Sequence, residues 1–362
     1  MSQRTSAPSS PPVGRRAARR EVVPGHHYTP PEPRRGPVPA ALRGSALTVW
    51  FAGWLVGTAA AATSIVSTDL PGRTGVAGAA LLTVVFAAGL TRRCGGRVWL
   101  WTTLAAIVSS GAVFAEQRWL LAGTSVLVAV LAGILAVMAT RPADSVVGAT
   151  GEFVLAVVLA ATGAVAVAGW DAPIDSSRYN LLVDGVSLLL TLGLVWRLGA
   201  GLHGMGRRGC LVVVAGAALI ALVLVYGQVL RTYGSKSIVD TVNSTVAWFD
   251  HHLHGVPRPA EVLIGFPALV WGISTRASRR QGWWMCAFGV VGTATVATSL
   301  AAPRLDPVYA GLSTLYSVVL GLALGLVVHK VDTMLTGSGS RALRGRGDAE
   351  LRPEPGRTEP LR

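Results

Sequence analysis

The sequence has few charged residues, few cysteines and almost no lysine. Charged side chains make up 14% of its 362 residues, against about 25% in typical soluble domains, which argues against a water-soluble globular protein. The three cysteines, Cys94, Cys210 and Cys286, lie in parts of the chain predicted to be on the cytoplasmic side, away from an oxidising exterior, so we expect no disulfide among them. Only two residues are lysine whereas 30 are arginine. That bias is typical of a GC-rich genome, and we expect a bacterial source.

Signatures of common enzymes are also missing. The chain contains no Gly-rich phosphate loop of the Walker type, no H-E-x-x-H and no G-x-S-x-G. These motifs bind nucleotide phosphates, hold catalytic zinc and present a nucleophilic serine. The H-x-x-D spacing of His329 and Asp332 lacks the partner motifs that an intramembrane phosphatase needs. We therefore favour a protein that is not an enzyme, and we expect no cofactor.

Long apolar stretches dominate what is present. Most reach the roughly 17 to 25 residues that a helix needs to cross about 30 Å of hydrocarbon. The ten stretches run over 46–66, 75–90, 98–115, 119–139, 151–170, 180–198, 209–230, 259–275, 282–301 and 308–328. We predict an all-α polytopic integral membrane protein with about ten transmembrane helices. Tryptophans near the predicted ends are expected to act as interfacial anchors: Trp99, Trp101, Trp119, Trp170, Trp196, Trp283 and Trp284.

Arginines alternate between the two sets of loops. The even-numbered loops carry Arg92, Arg93, Arg97, Arg141, Arg197, Arg207, Arg208, Arg276, Arg279 and Arg280. The odd-numbered loops carry Arg73, Arg118, Arg178 and Arg304 singly, and a longer one carries Arg231, Lys236 and Arg258. Because positive charge resists translocation, the even-numbered loops and both termini are predicted to be cytoplasmic. We expect a multi-pass protein of the bacterial cytoplasmic (plasma) membrane.

The distribution of charge also bears on partners. The formal net charge is +14, but most arginines lie in the tails and on one predicted face of the membrane domain. Attraction to anionic lipid headgroups accounts for this pattern, so membrane lipids are the expected partners and nucleic acid is not.

The predicted domain organisation is a single membrane domain between two tails. Residues 1–43 contain nine prolines and eight arginines, a composition typical of a disordered, basic, Pro/Arg-rich cytoplasmic tail. The ten-helix transmembrane domain covers 44–330. Residues 331–362 are predicted to be a second disordered cytoplasmic tail.

One external segment, about 236–254, has the pattern of an amphipathic helix. Its apolar residues recur at intervals of three and four and form one stripe: Val239, Val242, Val246, Phe249 and Leu253. We predict that it lies on the outer surface and docks a cell-envelope protein partner through Val242, Val246, Phe249, His251 and His254. His251 and His254 lie one helical turn apart, but the chain has no other external Cys or His to complete a four-ligand zinc site. We therefore predict no metal.

Acidic residues within apolar stretches are expensive in lipid, and each is by default a functional hypothesis. Asp184 lies near the outer end of the sixth stretch and Glu261 near that of the eighth, where Pro267 is expected to kink or break the helix. We predict a polar outer vestibule formed by Asp184, Glu261, Arg258 and Arg231. The alternative is that these carboxylates pair with nearby arginines, reach interfacial water and have no further role.

Two functions remain open from the sequence. Ten spans divide into two sets of five with opposite orientations, as in carriers that are built from inverted repeats. The first hypothesis is therefore a carrier, or a lipid- or metabolite-translocating protein. The alternative is a non-catalytic membrane scaffold or accessory subunit in cell-envelope assembly, which docks partners through the external helix.

Overall fold

The computed structural model describes residues 40–66, 73–174, 176–198, 236–277, 282–301, 306–336 and 354–361, together with residues 214 and 218. Throughout these ranges the regular structure is helical, with no strand. Within them, seven helices are long and apolar enough to cross a membrane, as in a polytopic membrane protein. By internal contacts the chain divides into two units, 1–45 and 46–362. The first contributes only the beginning of α1 to the described structure.

The helices follow the apolar stretches of the sequence. Their bounds are α1 (Ala40–Val66), α2 (Arg73–Arg93), α3 (Val98–Ala115), α4 (Arg118–Met138), α5 (Val146–Trp170), α6 (Ser176–Arg197), α7 (Lys236–Leu253), a π-turn (Glu261–Gly265), α8 (Phe266–Arg276), α9 (Gly282–Ala297) and α10 (Pro307–Thr336).

Several helices extend beyond their apolar stretches, and polar contacts are made in the extensions of α5 and α10. Helix α5 begins at Val146, where the Ser145 hydroxyl caps it by accepting a hydrogen bond from the Gly148 amide at 3.1 Å. Helix α10 continues to Thr336, and its Asp332 carboxylate accepts a hydrogen bond from the indole of Trp271 at 3.2 Å. The predicted seventh span, 209–230, lies outside the described residues apart from two positions, so the total of ten spans stays a prediction.

Helix α9 lies at the centre of the bundle. Every residue of α9 except Thr295 is buried, as expected for a helix that is apolar all round. It contacts α4, α5, α6 and α8. Helix α8 joins this core through Phe266, whose ring meets that of Phe153 edge to face at 5.2 Å.

Glycines allow the backbones around α8 to approach closely. A Cβ atom built on Gly265 would lie 2.3 Å from the backbone nitrogen of Gly292 in α9. On α10, a Cβ on Gly321 would lie 2.6 Å from the Cβ of Phe266. These small residues form the seams between α8 and its two neighbours, in the manner of helix packing in lipid.

The tryptophans predicted to be interfacial anchors divide into two groups. Trp99, Trp101, Trp119 and Trp196 are exposed on the bundle surface. Trp170, Trp283 and Trp284 are buried instead, so the anchor prediction is wrong for these three. The guanidinium of Arg276 packs over the ring of Trp283 in a cation–π contact, 3.9 Å from the ring centroid.

Residues 354–361, called here the C-terminal segment, pack against one end of the bundle. The buried Arg93 donates hydrogen bonds to the carbonyls of Gly356 at 2.7 Å and Glu359 at 3.0 Å. Other contacts of the segment join Arg92 to the carbonyl of Thr358, Arg276 to Glu354, and Glu152 to Arg357. A single short segment therefore contacts the ends of α2, α5 and α8 on one face.

Candidate functional site

The two acidic residues predicted within the membrane both lie in the interior of the bundle. Glu261 is the first residue of the π-turn and is fully buried, and Asp184 on α6 is 9% exposed. Arg258 pairs with Glu261, with 3.0 Å between its Nη1 and the carboxylate Oε1. The charge of Asp184 interacts with those of both Glu261 and Arg258. The structure thus brings together three of the four predicted vestibule residues, while Arg231 lies outside the described part of the chain.

Hydroxyl groups of α10 hold the segment that leads into this pair. The backbone amide of Arg258 donates to the Ser317 hydroxyl at 2.8 Å, and that of Val256 donates to Ser313 at 3.0 Å. The Arg258 guanidinium also lies 3.4 Å from the Thr314 hydroxyl. Sequence reasoning missed these hydroxyls, although their clustering on one turn of a predicted span was a visible signal.

Asp184 has little direct hydrogen bonding to offset its burial. The Thr295 hydroxyl is 3.5 Å from both carboxylate oxygens of Asp184. That hydroxyl donates its proton to the carbonyl of Val291 at 2.7 Å. Asp184 therefore receives at most a weak hydrogen bond from it. A buried carboxylate so weakly held requires a counter-charge or a proton.

Asp184 belongs to a polar stripe on α6 that the sequence reasoning also missed. The stripe consists of Asn180, Asp184, Ser187 and Thr191. At about 100° per residue, these four positions fall within roughly 60° of one helix face. Asp184, Ser187 and Thr191 are all buried. The stripe extends about 16 Å along the helix, roughly half of a 30 Å hydrocarbon core.

Two atoms of the stripe have unused hydrogen-bonding capacity. The side-chain oxygen of Asn180 and the hydroxyl of Ser187 are buried and make no hydrogen bond to any described residue. Thr191, by contrast, donates to the carbonyl of Ser187 at 2.7 Å. Buried polar groups are usually satisfied, so unused capacity beside a buried carboxylate is typical of a place where a polar ligand or water binds.

The helix that carries Glu261 is interrupted at that residue. Pro267 has no N–H to donate, and the turn before it widens into a π-turn in which the Phe266 amide donates to the carbonyl of Glu261. The expected interruption at Pro267 thus takes the form of a π-turn at 261–265. Such turns are frequent at functional sites, and broken helices in membranes are tolerated where they are buried in protein or line a cavity.

The helix predicted over about 236–254 is present as α7, with most of its described side chains exposed, and its location on the outer side stays a prediction. Val246 is 42% and Trp248 53% exposed, whereas Phe249 is half-buried. The end of α7 is fixed to α10 by the Tyr316 hydroxyl, which donates to the carbonyl of Leu253 at 2.9 Å. Val242 lies within α7, but its side chain is outside the described part of the structure.

The histidines at the end of α7 are exposed. His254 directly follows α7 and has a left-handed backbone, with φ 50°. The ring centroids of His251 and His252 are 5.0 Å apart. Within the described ranges, no group of three or more His, Cys, Asp or Glu residues is placed to bind a metal ion. The absence of a metal site remains a prediction.

Searches against protein-family models, curated proteins and solved structures find no match to this chain.

Proposed function

We propose that the chain is a carrier, or a lipid- or metabolite-translocating protein, whose outer site is formed by Asp184, Glu261 and Arg258. The observation that carries the proposal is a fully buried carboxylate, Glu261, that pairs with Arg258 at a π-turn, together with a second buried carboxylate, Asp184, that belongs to a polar stripe and lies close enough for their charges to interact. Ionisable residues within transmembrane segments are costly and are by default candidates for substrate or ion pathways.

The charge count of the site indicates the chemistry of its ligand. Among the described residues of the site, two carboxylates, Asp184 and Glu261, are accompanied by one cation, Arg258, which pairs with Glu261. A charge without a counter-charge in the protein interior costs on the order of several kcal/mol in lost solvation free energy. The third partner is therefore a positive charge, either a proton or a substrate cation. The unused oxygens of Asn180 and Ser187 extend the site for polar groups of such a substrate.

We further propose ten spans with both termini cytoplasmic, in the cytoplasmic membrane of a bacterium. The C-terminal segment supports this topology because it contacts helix ends beside three even-numbered loops. These contacts are with Arg93 beside the second loop, Glu152 beside the fourth and Arg276 beside the eighth. These loops belong to the set that the arginine alternation assigns to one side. The site at Glu261 lies at the other end of helix 259–276 from Arg276 and thus faces outward.

The test is mass spectrometry of small molecules and lipids that remain bound to the full-length protein after gentle extraction from its own membranes. The wild type is expected to retain a cation or a lipid with a cationic group, and Asp184→Asn is expected to lose it. Asp306→Asn is the matched control, because Asp306 is an exposed carboxylate whose capping contact to the Val308 amide an asparagine can also make. Equal retention by Asp184→Asn and the wild type would contradict the proposed site.

The exposed apolar side chains of α7 favour one alternative, a scaffold or accessory subunit. Val246 and Trp248 are about half exposed, although α7 is anchored at its end by Tyr316. Under this alternative, Val246→Asp or Phe249→Asp removes a stoichiometric protein partner from the native complex, and Asp184→Asn leaves that partner bound. The carrier proposal predicts the reverse pattern for the small ligand.

A further inference from the structure

We infer that an anionic phospholipid of the surrounding bilayer binds in a groove between α1, α2, α3 and α5, with its phosphate at Arg92 and Arg357. The groove has a volume of about 650 Å³, within the range of sites that bind small molecules. It lies at the end of the bundle that carries the C-terminal segment, far from Glu261. The inference is independent of the proposed function.

The walls of the groove are apolar over most of its length. Along α2 it extends from Leu81 to Arg92, a rise of about 16 Å. That length matches one leaflet, which is half of a hydrocarbon core about 30 Å thick. The indoles of Trp50 and Trp54 line it, yet their N–H groups are already used by the Val85 carbonyl and the Thr162 hydroxyl. The groove thus offers an acyl chain an apolar wall without unsatisfied donors from these rings.

Every charged side chain that lines the groove is positive. Arg92 and Arg93 come from the end of α2 and Arg357 comes from the C-terminal segment, and no carboxylate lines the groove among the described residues. The charge is therefore confined to one end, where a headgroup would lie if an acyl chain occupied the rest. This arrangement fits a phosphate, which arginine binds through N–H donors. Arg357 already donates to Glu152 and Arg92 to the Thr358 carbonyl, so the phosphate takes the remaining donors of the two guanidinium groups.

A second observation indicates an anionic ligand. The side chain of Arg93 is 2% exposed, and its Nη2 makes no hydrogen bond to any described residue. Its Nε and Nη1 donate to the carbonyls of Met138 and Gly356. Nη2 is the remaining donor of a buried guanidinium that lines the groove, so the positive charge at this end is only partly compensated by hydrogen bonds.

The experiment uses full-length protein reconstituted in bilayers of phosphatidylcholine with a minor fraction of phosphatidylglycerol, and native mass spectrometry counts the bound lipids. The wild type is expected to retain phosphatidylglycerol in preference to phosphatidylcholine. At about 1 kcal/mol for each arginine near the membrane surface, the double variant Arg92→Gln/Arg357→Gln should weaken phosphatidylglycerol binding about 30-fold. Arg97→Gln is the matched control, because Arg97 is exposed at the same end and does not line the groove.

A second variant tests the apolar part of the groove without changing its charge. Val158 lines the groove from α5 and is 43% exposed, so the larger side chain of Val158→Trp fills the groove without disturbing the core. We expect this variant to lose bound phosphatidylglycerol while its unfolding temperature stays near that of the wild type. Equal losses in Arg97→Gln and the double variant would overturn the inference, as would full retention of phosphatidylglycerol by Val158→Trp.

Discussion

At the scale of single residues, the Arg258–Glu261 ion pair combines a fully buried carboxylate with a partly exposed arginine. The Glu261 carboxylate is completely removed from solvent, whereas the Arg258 side chain keeps 23% of its exposure. Removing one member of such a pair leaves the other charge buried and unpaired, which costs more than removing both. The arginine therefore stabilises the fold chiefly by compensating Glu261.

We predict that Arg258→Gln lowers the free energy of unfolding by about 3 kcal/mol, the usual loss when a buried pair is broken. The double variant Arg258→Gln/Glu261→Gln should recover much of this loss, since it leaves no unpaired charge on either partner. Thermal unfolding of the purified protein in detergent, analysed as a double-mutant cycle, measures the difference. If the double variant is as unstable as the sum of the two single variants, the pair has no coupling and the argument is wrong.

Single residues also show what could be predicted from the sequence and what could not. Asp184 and Glu261 were identifiable because carboxylates in apolar stretches are rare. Their grouping was predicted from their shared position near the outer ends of two stretches, but their contacts were not, because hydropathy indicates that a segment spans but not which face of its helix meets which neighbour. The same lack of lateral information explains why Trp170 and Trp283 were predicted at the interface yet are buried.

At the scale of elements, the helix 259–276 combines three features that depend on each other. Pro267 removes one backbone donor, the π-turn accommodates that loss, and Gly265 lets the widened turn approach Gly292 of α9. The sequence pointed to an interruption through Pro267, but the form of the interruption follows from this close approach. Without a small residue at position 265, the π-turn and α9 would have to separate.

We predict that Gly265→Ala destabilises the protein by about 1 to 3 kcal/mol, the usual cost of adding a methyl group to a tightly packed interior. The added Cβ would lie 2.4 Å from the Cα of Gly292, so backbone must move. Gly193→Ala on α6 is the control, because a Cβ there meets nothing within 4 Å and alanine is the better helix former. Unfolding temperatures of the two variants that fall equally below that of the wild type would show that the close crossing is not the cause.

At the scale of the whole molecule, the C-terminal segment links helices that are distant in the sequence. It provides hydrogen-bond acceptors for Arg93 Nη1 and Arg276 Nη2, which belong to guanidinium groups buried in the bundle. The sequence could not reveal this packing, since 331–362 is polar, rich in Gly, Arg and Pro, and typical of a solvated tail. What holds the segment is a set of buried donors on other helices, and only the tertiary structure brings them together.

We therefore predict that a variant ending at residue 353 unfolds more readily than the full-length protein. It loses the Gly356 and Glu359 carbonyls that accept from Arg93 and the Glu354 carboxylate 3.4 Å from Arg276. Hydrogen bonds to charged groups contribute about 1.5 to 3 kcal/mol each. Since water replaces part of these hydrogen bonds, a net loss of about 2 to 4 kcal/mol in the free energy of unfolding is expected.

Arg357→Gln is the control: it breaks only the partly exposed pair with Glu152 and should cost no more than about 1 kcal/mol. Thermal unfolding of both variants separates the two contributions, and a truncated protein as stable as the wild type would mean that the buried arginines do not depend on the segment.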